Sequence, residues 1–287
     1  MLVLCLSGSP AAAGQAHEAI PPPVHVEIVA APPPAGQPHA AWLGIRFVMS
    51  DGWHIYWQNP GDSGGPPSVK WDLPPGTAAG PLLWPVPERI AAGSIVNYGY
   101  HGEVVLPARL SAGAGKWPGE PFVVRADVRW IACREICVPG KSAVSREIRG
   151  GFAPTGGEGA ALLARAVARV PGPAPPAWRL TGSAAADTFT ISLETGRSER
   201  DATFFPLVPG QVDAASAVET KPTARGATLT LRRSPYLSKP IDSLKGVLVL
   251  GGRGYAADVP LRPTPSAQPP ARDGRRQPPA RTARSLQ

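Results

Sequence analysis

At 287 residues and a formal charge of +8, the chain is long enough for one large or two modest domains, and its charge first suggests nucleic acid. Positions 262–287 hold six arginines and one aspartate, which is +5 of that +8, so the body is close to neutral and a basic binding face is not implied. Proline, at 37 residues, far exceeds the usual ~5%, which disfavours helix and favours short strands joined by Pro/Gly turns.

Residues 1–16 read as a signal-like segment. An apolar run, Met1 to Leu6, leads to an Ala-x-Ala site at Ala11–Ala13, although the usual positive start is missing. Export is therefore expected. Loss of Cys5 with that segment leaves two cysteines, an even count suited to an oxidising compartment. No run of 18 apolar residues occurs, so no membrane span is expected in this chain.

Short strands then follow in quick succession. Val26 and Ile28 alternate with His25 and Glu27, and Leu43, Ile45, Phe47 and Met49 alternate with Trp42, Gly44 and Arg46. Further candidates are 53–57, 69–73, 82–84, 104–110, 122–133 and 143–148, with turn chemistry at Asn59-Pro60-Gly61-Asp62, Gly64-Gly65-Pro66-Pro67 and Pro74-Pro75-Gly76. Residues 22–150 thus read as one antiparallel β-sandwich. Positions 151–176 read as a linker, with a short amphipathic helix carrying Leu162, Leu163, Ala166, Val167 and Val170. Strands resume at 189–193, 203–207, 227–231, 246–250 and 255–261, so 177–262 reads as a second β-sandwich, without cysteine or histidine. Residues 263–287 read as a disordered Arg/Pro tail.

The chemistry is concentrated in Trp130-Ile131-Ala132-Cys133-Arg134-Glu135-Ile136-Cys137-Val138-Pro139-Gly140. Four extended steps cover about 13 Å, too far for a disulfide, so Cys133 and Cys137 can bridge only if the chain folds back between them. A tight loop or one helical turn would suffice. Closing so short a loop removes little unfolded-chain entropy, which favours redox exchange over a mere staple. Residues 122–133 alternate with period two, and Cys133 shares its parity with Arg125, Asp127 and Arg129. That parity predicts a solvent-facing thiol, with Arg129 and Arg134 favouring the thiolate and Glu135 opposing them.

Other residues carry weaker signals. Trp53, Tyr56 and Trp57 read as sandwich core more readily than as a sugar or peptide platform. His54 and His101 read as ordinary surface or turn histidines, with thiol deprotonation or copper binding as alternatives. None of the five histidines adjoins the cysteines in sequence, so a closed zinc site is not expected.

Five stretches in order carry a resemblance. They are Gly52-Trp53-His54-Ile55-Tyr56-Trp57-Gln58-Asn59-Pro60-Gly61-Asp62-Ser63-Gly64, then Trp71-Asp72-Leu73-Pro74, and Trp84-Pro85-Val86-Pro87-Glu88-Arg89. Asn97-Tyr98-Gly99-Tyr100-His101-Gly102-Glu103-Val104-Val105-Leu106-Pro107 and Cys133–Gly140 complete the set. Over about residues 24–261 the chain resembles the amino-terminal periplasmic region of the DsbD family of thiol–disulfide interchange proteins, nearer its ScsB-type branch.

The resemblance implies two immunoglobulin-like sandwiches in the periplasm, the first carrying the redox pair, with no cofactor. Its implied partners are a thioredoxin-like electron donor, or a membrane electron conductor, and periplasmic disulfide-bonded proteins. Cys137 would form the mixed disulfide and Cys133 would resolve it, with Arg134 and Glu135 tuning the sulfurs. Tyr98, in an Asn97–Tyr100 loop, would cap the disulfide. The best-described members have a longer insert between the cysteines. The competing reading is a non-catalytic exported sandwich that binds copper or a protein partner.

Overall fold

The computed structural model describes residues 23–32, 39–113, 117, 121–148 and 157–263. The signal-like segment, the start of the linker and all but the first residue of the Arg/Pro tail lie outside them.

The first half is built from ten strands. They are β1 (Val24–Ala31), β2 (Ala40–Met49), β3 (His54–Gly61), β4 (Ser68–Asp72), β5 (Thr77–Ala79), β6 (Glu88–Ala92), β7 (Ile95–His101), β8 (Glu103–Ala112), β9 (Phe122–Cys133) and β10 (Cys137–Ile148). One sheet runs β1-β2-β8-β5 and the other β10-β9-β3-β7-β6, with β4 also paired to β9. Period-two patterning decides which faces meet. Val26, Ile28, Leu43, Ile45, Phe47 and Leu106 enter the core from the first sheet, and Ile55, Trp57, Val124, Val128 and Trp130 enter it from the second. Arg46, on the opposite face of β2, reaches Glu27 and Glu103 at 2.7 Å each.

Sequence and structure differ at three places here. Residues 82–84 form no strand, because Pro81, Pro85 and Pro87 withhold ladder donors. Trp84 and Val86 still pack against the core as irregular backbone. Asn59-Pro60-Gly61 is the end of β3 and not a turn, with the register to β7 shifting between Tyr56 and Gly61. Asn97–Tyr100 is not a loop but the middle of β7. Gly99 hid that strand from pattern reading, yet it is required there, since a Cβ would strike the Ile55 carbonyl.

The helix α1 (Glu158–Ala168) is docked onto the sandwich and does not act as a free tether. Leu162, Leu163 and Ala166 cluster with Val29, Ala31 and Val105 on the outer face of the first sheet. Gly44 makes room, because a Cβ there would stand 2.8 Å from Leu163 and 2.7 Å from Val105.

Eight further strands follow. These are β11 (Gly172–Pro173), β12 (Arg179–Ala184), β13 (Thr188–Glu194), β14 (Thr203–Pro206), β15 (Glu219–Thr223), β16 (Gly226–Arg232), β17 (Ser243–Leu250) and β18 (Arg253–Pro263). They join as β14-β17-β18-β12-β13-β16-β15, with β11 on β18. The halves enclose a second core of Phe189, Ile191, Leu229, Phe204, Leu248 and Val259. The fold is all-β and sandwich-like as expected, but not wholly antiparallel: β11 and β12 each run parallel to β18.

Both faces of β14 and β17 are buried, and this fixes the two halves against each other. Phe204 and Leu248 enter the second core, while their neighbours Phe205, Val247 and Val249 enter the first. Phe205 makes edge contacts with Trp57 and Tyr98 at 6.2 and 5.4 Å between ring centres.

Candidate active site

Strand β9 delivers its last residue, Cys133, directly opposite the first residue of β10, Cys137. Arg134, Glu135 and Ile136 make the turn, closed by a bond from the Arg134 N–H to the Ile136 carbonyl. The two Cα atoms lie 4.2 Å apart and the sulfurs are bonded. Of the foldbacks open to this spacing, the chain uses a hairpin. Three residues past Cys137, Gly140 faces Trp130 across the pair, and any Cβ on it would enter the indole ring. The glycine therefore lets Trp130 lie flat across its own partner strand and stiffen the hairpin.

The two sulfurs differ in environment. Cys137 is exposed, whereas Cys133 retains only 4% of its accessible surface. This corrects the solvent-facing thiol expected from strand parity. The alternation holds, and Cys133 does lie on the outer face of its sheet. That face is covered locally, because β3 is buried on both sides. Ile55 and Trp57 point to the core, while His54 and Tyr56 lie over the outer face, with His54 directly across from Cys133. The Tyr56 hydroxyl donates to Cys133 Sγ at 2.8 Å and stands 3.5 Å from Cys137 Sγ.

Tyr56 is in turn covered by the Gly61–Gly65 turn. Gly64, at φ +81°, lies so close to the phenol that a Cβ would enter the ring. Polar side chains pin this turn. Asn97 Oδ1 accepts from the Ser63 N–H at 3.1 Å and from the Ser63 hydroxyl at 3.0 Å. Asp62 Oδ2 accepts from the Val96 N–H at 2.8 Å, and Asn59 Oδ1 accepts from the Gly61 N–H. Burial raises the Tyr56 phenol above its ordinary pKa, while the neighbouring Ser63 side chain works the other way.

His54 is buried, not a surface or turn residue. Desolvation, helped by neighbouring His101, lowers its pKa to about 4, so the imidazole is neutral at physiological pH. The two histidine rings are 5.5 Å apart, and His101 Nδ1 lies 3.3 Å from Glu88. His54 Nε2 has no hydrogen-bond partner among the described residues. Arg134 and Glu135 are exposed in the turn, and the Arg134 guanidinium lies 5.8 Å from the Trp53 ring. Among the described residues, no three or more His, Cys, Asp or Glu side chains are grouped to hold a metal ion.

Tyr98 is brought elsewhere. Its ring packs with Trp57 and Phe205 in the core, and burial pushes its pKa up to about 12. The hydroxyl on the sulfurs is that of Tyr56, which read from sequence as core. Its signal was its parity with His54 on a strand paired to β9, a pairing that sequence alone does not reveal.

Residues 23–147 match the family model for the amino-terminal domain of the thiol:disulfide interchange protein DsbD. The crystal structure of the N-terminal periplasmic domain of ScsB from Proteus mirabilis is similar in fold, with a TM-score of 0.60 at 14% identity, covering 83% of this chain and 91% of that one. The YadV chaperone structure is 10% identical over 77% of this chain and 92% of that one, and its TM-score of 0.20 carries no argument. The curated proteins give no match. Among the described residues no helix is long and apolar enough to cross a membrane. With its cysteine pair joined at the tip of the β9–β10 hairpin, the sandwich at residues 23–147 is the part of the chain that matches the family of amino-terminal domains of DsbD, the thiol:disulfide interchange protein.

Proposed function

We propose that this protein is a periplasmic thiol–disulfide oxidoreductase of the protein-disulfide reductase type. It relays reducing equivalents from a thioredoxin-like donor to exported disulfide-bonded proteins through Cys133 and Cys137. The unequal exposure of the two sulfurs supports this reading best: Cys137 is open to a partner, while Cys133 is sheltered behind it under Tyr56.

In the reduced protein, the Cys137 thiolate attacks one sulfur of a partner disulfide. A mixed disulfide forms and the partner's other sulfur leaves as a thiolate. The Cys133 thiolate then attacks Cys137 Sγ. The intramolecular bond closes and the second partner sulfur leaves, so two electrons pass to the partner. A dithiol donor regenerates the pair by the same steps in reverse. In both directions the mixed disulfide is made through Cys137, the sulfur within reach: its thiolate attacks the oxidised partner, and the donor thiolate attacks its sulfur in return. Ile136, 69% exposed between the cysteines, adds an apolar contact at the point of docking.

The test is trapping. Incubated with an oxidised protein substrate, reduced Cys133→Ala accumulates a mixed disulfide through Cys137, whereas Cys137→Ala forms none. Electron transfer by both single variants at the wild-type rate would overturn the proposal.

A further inference from the structure

The sheet register sets four side chains in one row across four strands. Cys137 of β10 faces Cys133 of β9, Cys133 faces His54 of β3, and His54 faces His101 of β7. Facing residues share one side of a sheet, here the outer one, a strand spacing apart. The row therefore leads from the exposed sulfur past the sheltered one to a buried imidazole, and ends on His101, whose side chain is 43% exposed and stands 3.3 Å from Glu88. From Cys137 to His101 it spans about 14 Å of backbone, so the four form a line and do not surround a point where one metal ion could sit. His54 has no part in the exchange described above. It is 3% exposed, and its Nε2 is buried without a hydrogen-bond partner among the described residues. An unpaired buried nitrogen costs stability, and its place here is explained if another state of the molecule supplies the partner.

Reduction supplies that partner. When the disulfide opens, Cys133 holds either a proton or a negative charge in a pocket nearly closed to water. A lone thiolate is disfavoured there, and so is a lone imidazolium. Side by side the two charges cancel, and a thiolate paired with a histidine persists well below the ordinary thiol range. Facing positions on neighbouring strands have Cβ atoms about 4.5–5.5 Å apart, which brings an imidazole nitrogen within reach of the sulfur. The Tyr56 hydroxyl already donates to that sulfur at 2.8 Å, and its bond strengthens as the sulfur becomes charged.

We propose that His54 is the proton partner of Cys133 in the reduced protein: the imidazole takes the proton that the sulfur gives up, and the resolving sulfur is held as a thiolate. The inference deepens the exchange reading and rests on it in taking Cys133 as the resolving thiol. A dithiol donor that opens the Cys133–Cys137 bond is itself oxidised to a disulfide and gives up two protons, one of which settles on His54. In the closing step the Cys133 thiolate attacks Cys137 Sγ. The Cys133–Cys137 bond forms, the bond from Cys137 to the partner breaks, and the partner sulfur leaves with the electron pair and takes a proton from water. His54, now without a counter-charge, returns its own proton to solvent by way of His101.

The charged and titratable groups around His54 come from every neighbouring element. Tyr56 lies on its own strand, its ring 5.3 Å away, and Asp51 stands in the turn before that strand. Cys133 and Cys137 lie on β9 and β10, and His101 on β7 is backed by Glu88 of β6. Arg134, near the Trp53 ring, and Glu135 occupy the turn between the cysteines. With the disulfide closed, burial first and the charge of His101 second keep the His54 ring neutral, at a pKa of about 4. A thiolate at Cys133 is the one change on reduction that pulls the other way from a facing position.

The test is a titration of His54 in the two redox states. Ring nitrogen-15 shifts, assigned by their loss in His54→Gln, are followed against pH in the whole chain, first oxidised and then reduced with a phosphine. The oxidised protein is expected to titrate at about 4. Reduction is expected to raise that midpoint by about 1–3 units, a gain of roughly ten- to thousandfold in proton affinity. Reduced Cys137→Ser is expected to keep the rise. Reduced Cys133→Ser, close in size but unable to form a thiolate, is expected to keep the oxidised value. A wild-type midpoint that reduction leaves unmoved would overturn the proposal, and so would a rise that persists in Cys133→Ser. The wild-type comparison carries the test even if a variant fails to fold. No partner protein enters the titration, so mixed-disulfide trapping separates the two readings. Trapping with an unmoved midpoint sinks the proton pairing alone; a moved midpoint without trapping sinks the exchange reading alone.

Discussion

The Asn59 side chain crosses from the first sandwich to the second, its Nδ2 donating to the Pro206 carbonyl at 2.8 Å across 147 positions of sequence. Next to Pro206, Phe205 fills the space between Trp57 and Tyr98. Arg89 adds a bond from Nη2 to the Ala214 carbonyl at 2.6 Å. A buried amide and a buried aromatic ring at one junction resist sliding as well as separation, so the two halves are held in a fixed relation.

Phe205→Ala is expected to destabilise the molecule by about 3–5 kcal/mol, the usual cost of emptying a buried phenylalanine site. Because its ring touches Trp57 in the first half, the loss is expected in both halves together. Denaturant unfolding, followed by tryptophan fluorescence and by far-UV circular dichroism, checks this. Two separated transitions, with the first half unaffected, would contradict it.

His54 predicts an acid-side weakness. Its pKa falls from the ordinary 6.5 to about 4 in the folded protein, so between those values the unfolded chain binds a proton that the folded one refuses. This contribution to stability is complete above pH 6.5, declines as the pH falls towards 4, and changes no further below that. Thermal melts at pH 5 and pH 7.5 should therefore show a lower melting temperature at pH 5. His54→Gln should flatten that part of the slope.

Gly140→Ala places a methyl group inside the Trp130 ring. Either the indole rotates out of the core or the hairpin opens, and over-packing of this kind costs about 1–3 kcal/mol. Near-ultraviolet circular dichroism reports the altered indole, and chemical denaturation gives the loss. The change should also alter the rate at which dithiothreitol reduces the disulfide, because the tip is carried by this strand pair.

Leu163→Ala tests whether α1 belongs to the sandwich. With 1% of its surface accessible, Leu163 sits against Val105 and Val29 over Gly44. Truncation should cost about 2–5 kcal/mol, as for other buried leucines. A change below 0.5 kcal/mol would mean that the helix is a loosely attached connector.

Much of this molecule was legible without coordinates. Strand β9 spans the 122–133 alternation as read, and the folding back of the chain between Cys133 and Cys137 followed from the reach of four residues. Legibility failed where a strand lacks alternation or a face is covered by distant chain. Strand β7 escaped because Asn97 and Gly99 interrupt its apolar pattern, and with it the cap was assigned to Tyr98. The turn at 61–65 read as simple punctuation, although it covers Tyr56.

Local sequence by itself determined the strands, the hairpin and the pair of sulfurs at its tip, because period-two patterning and chain reach act over a few residues. Only the tertiary structure decided which sulfur is open and which is sheltered. That depends on Tyr56 arriving from β3, on Asn97 and Ser63 holding the turn above it, and on Asn59 finding Pro206 in the other half. Burial and hydrogen-bond partnership at a sulfur are properties of the atoms around it, and here those atoms come from chain far away in sequence.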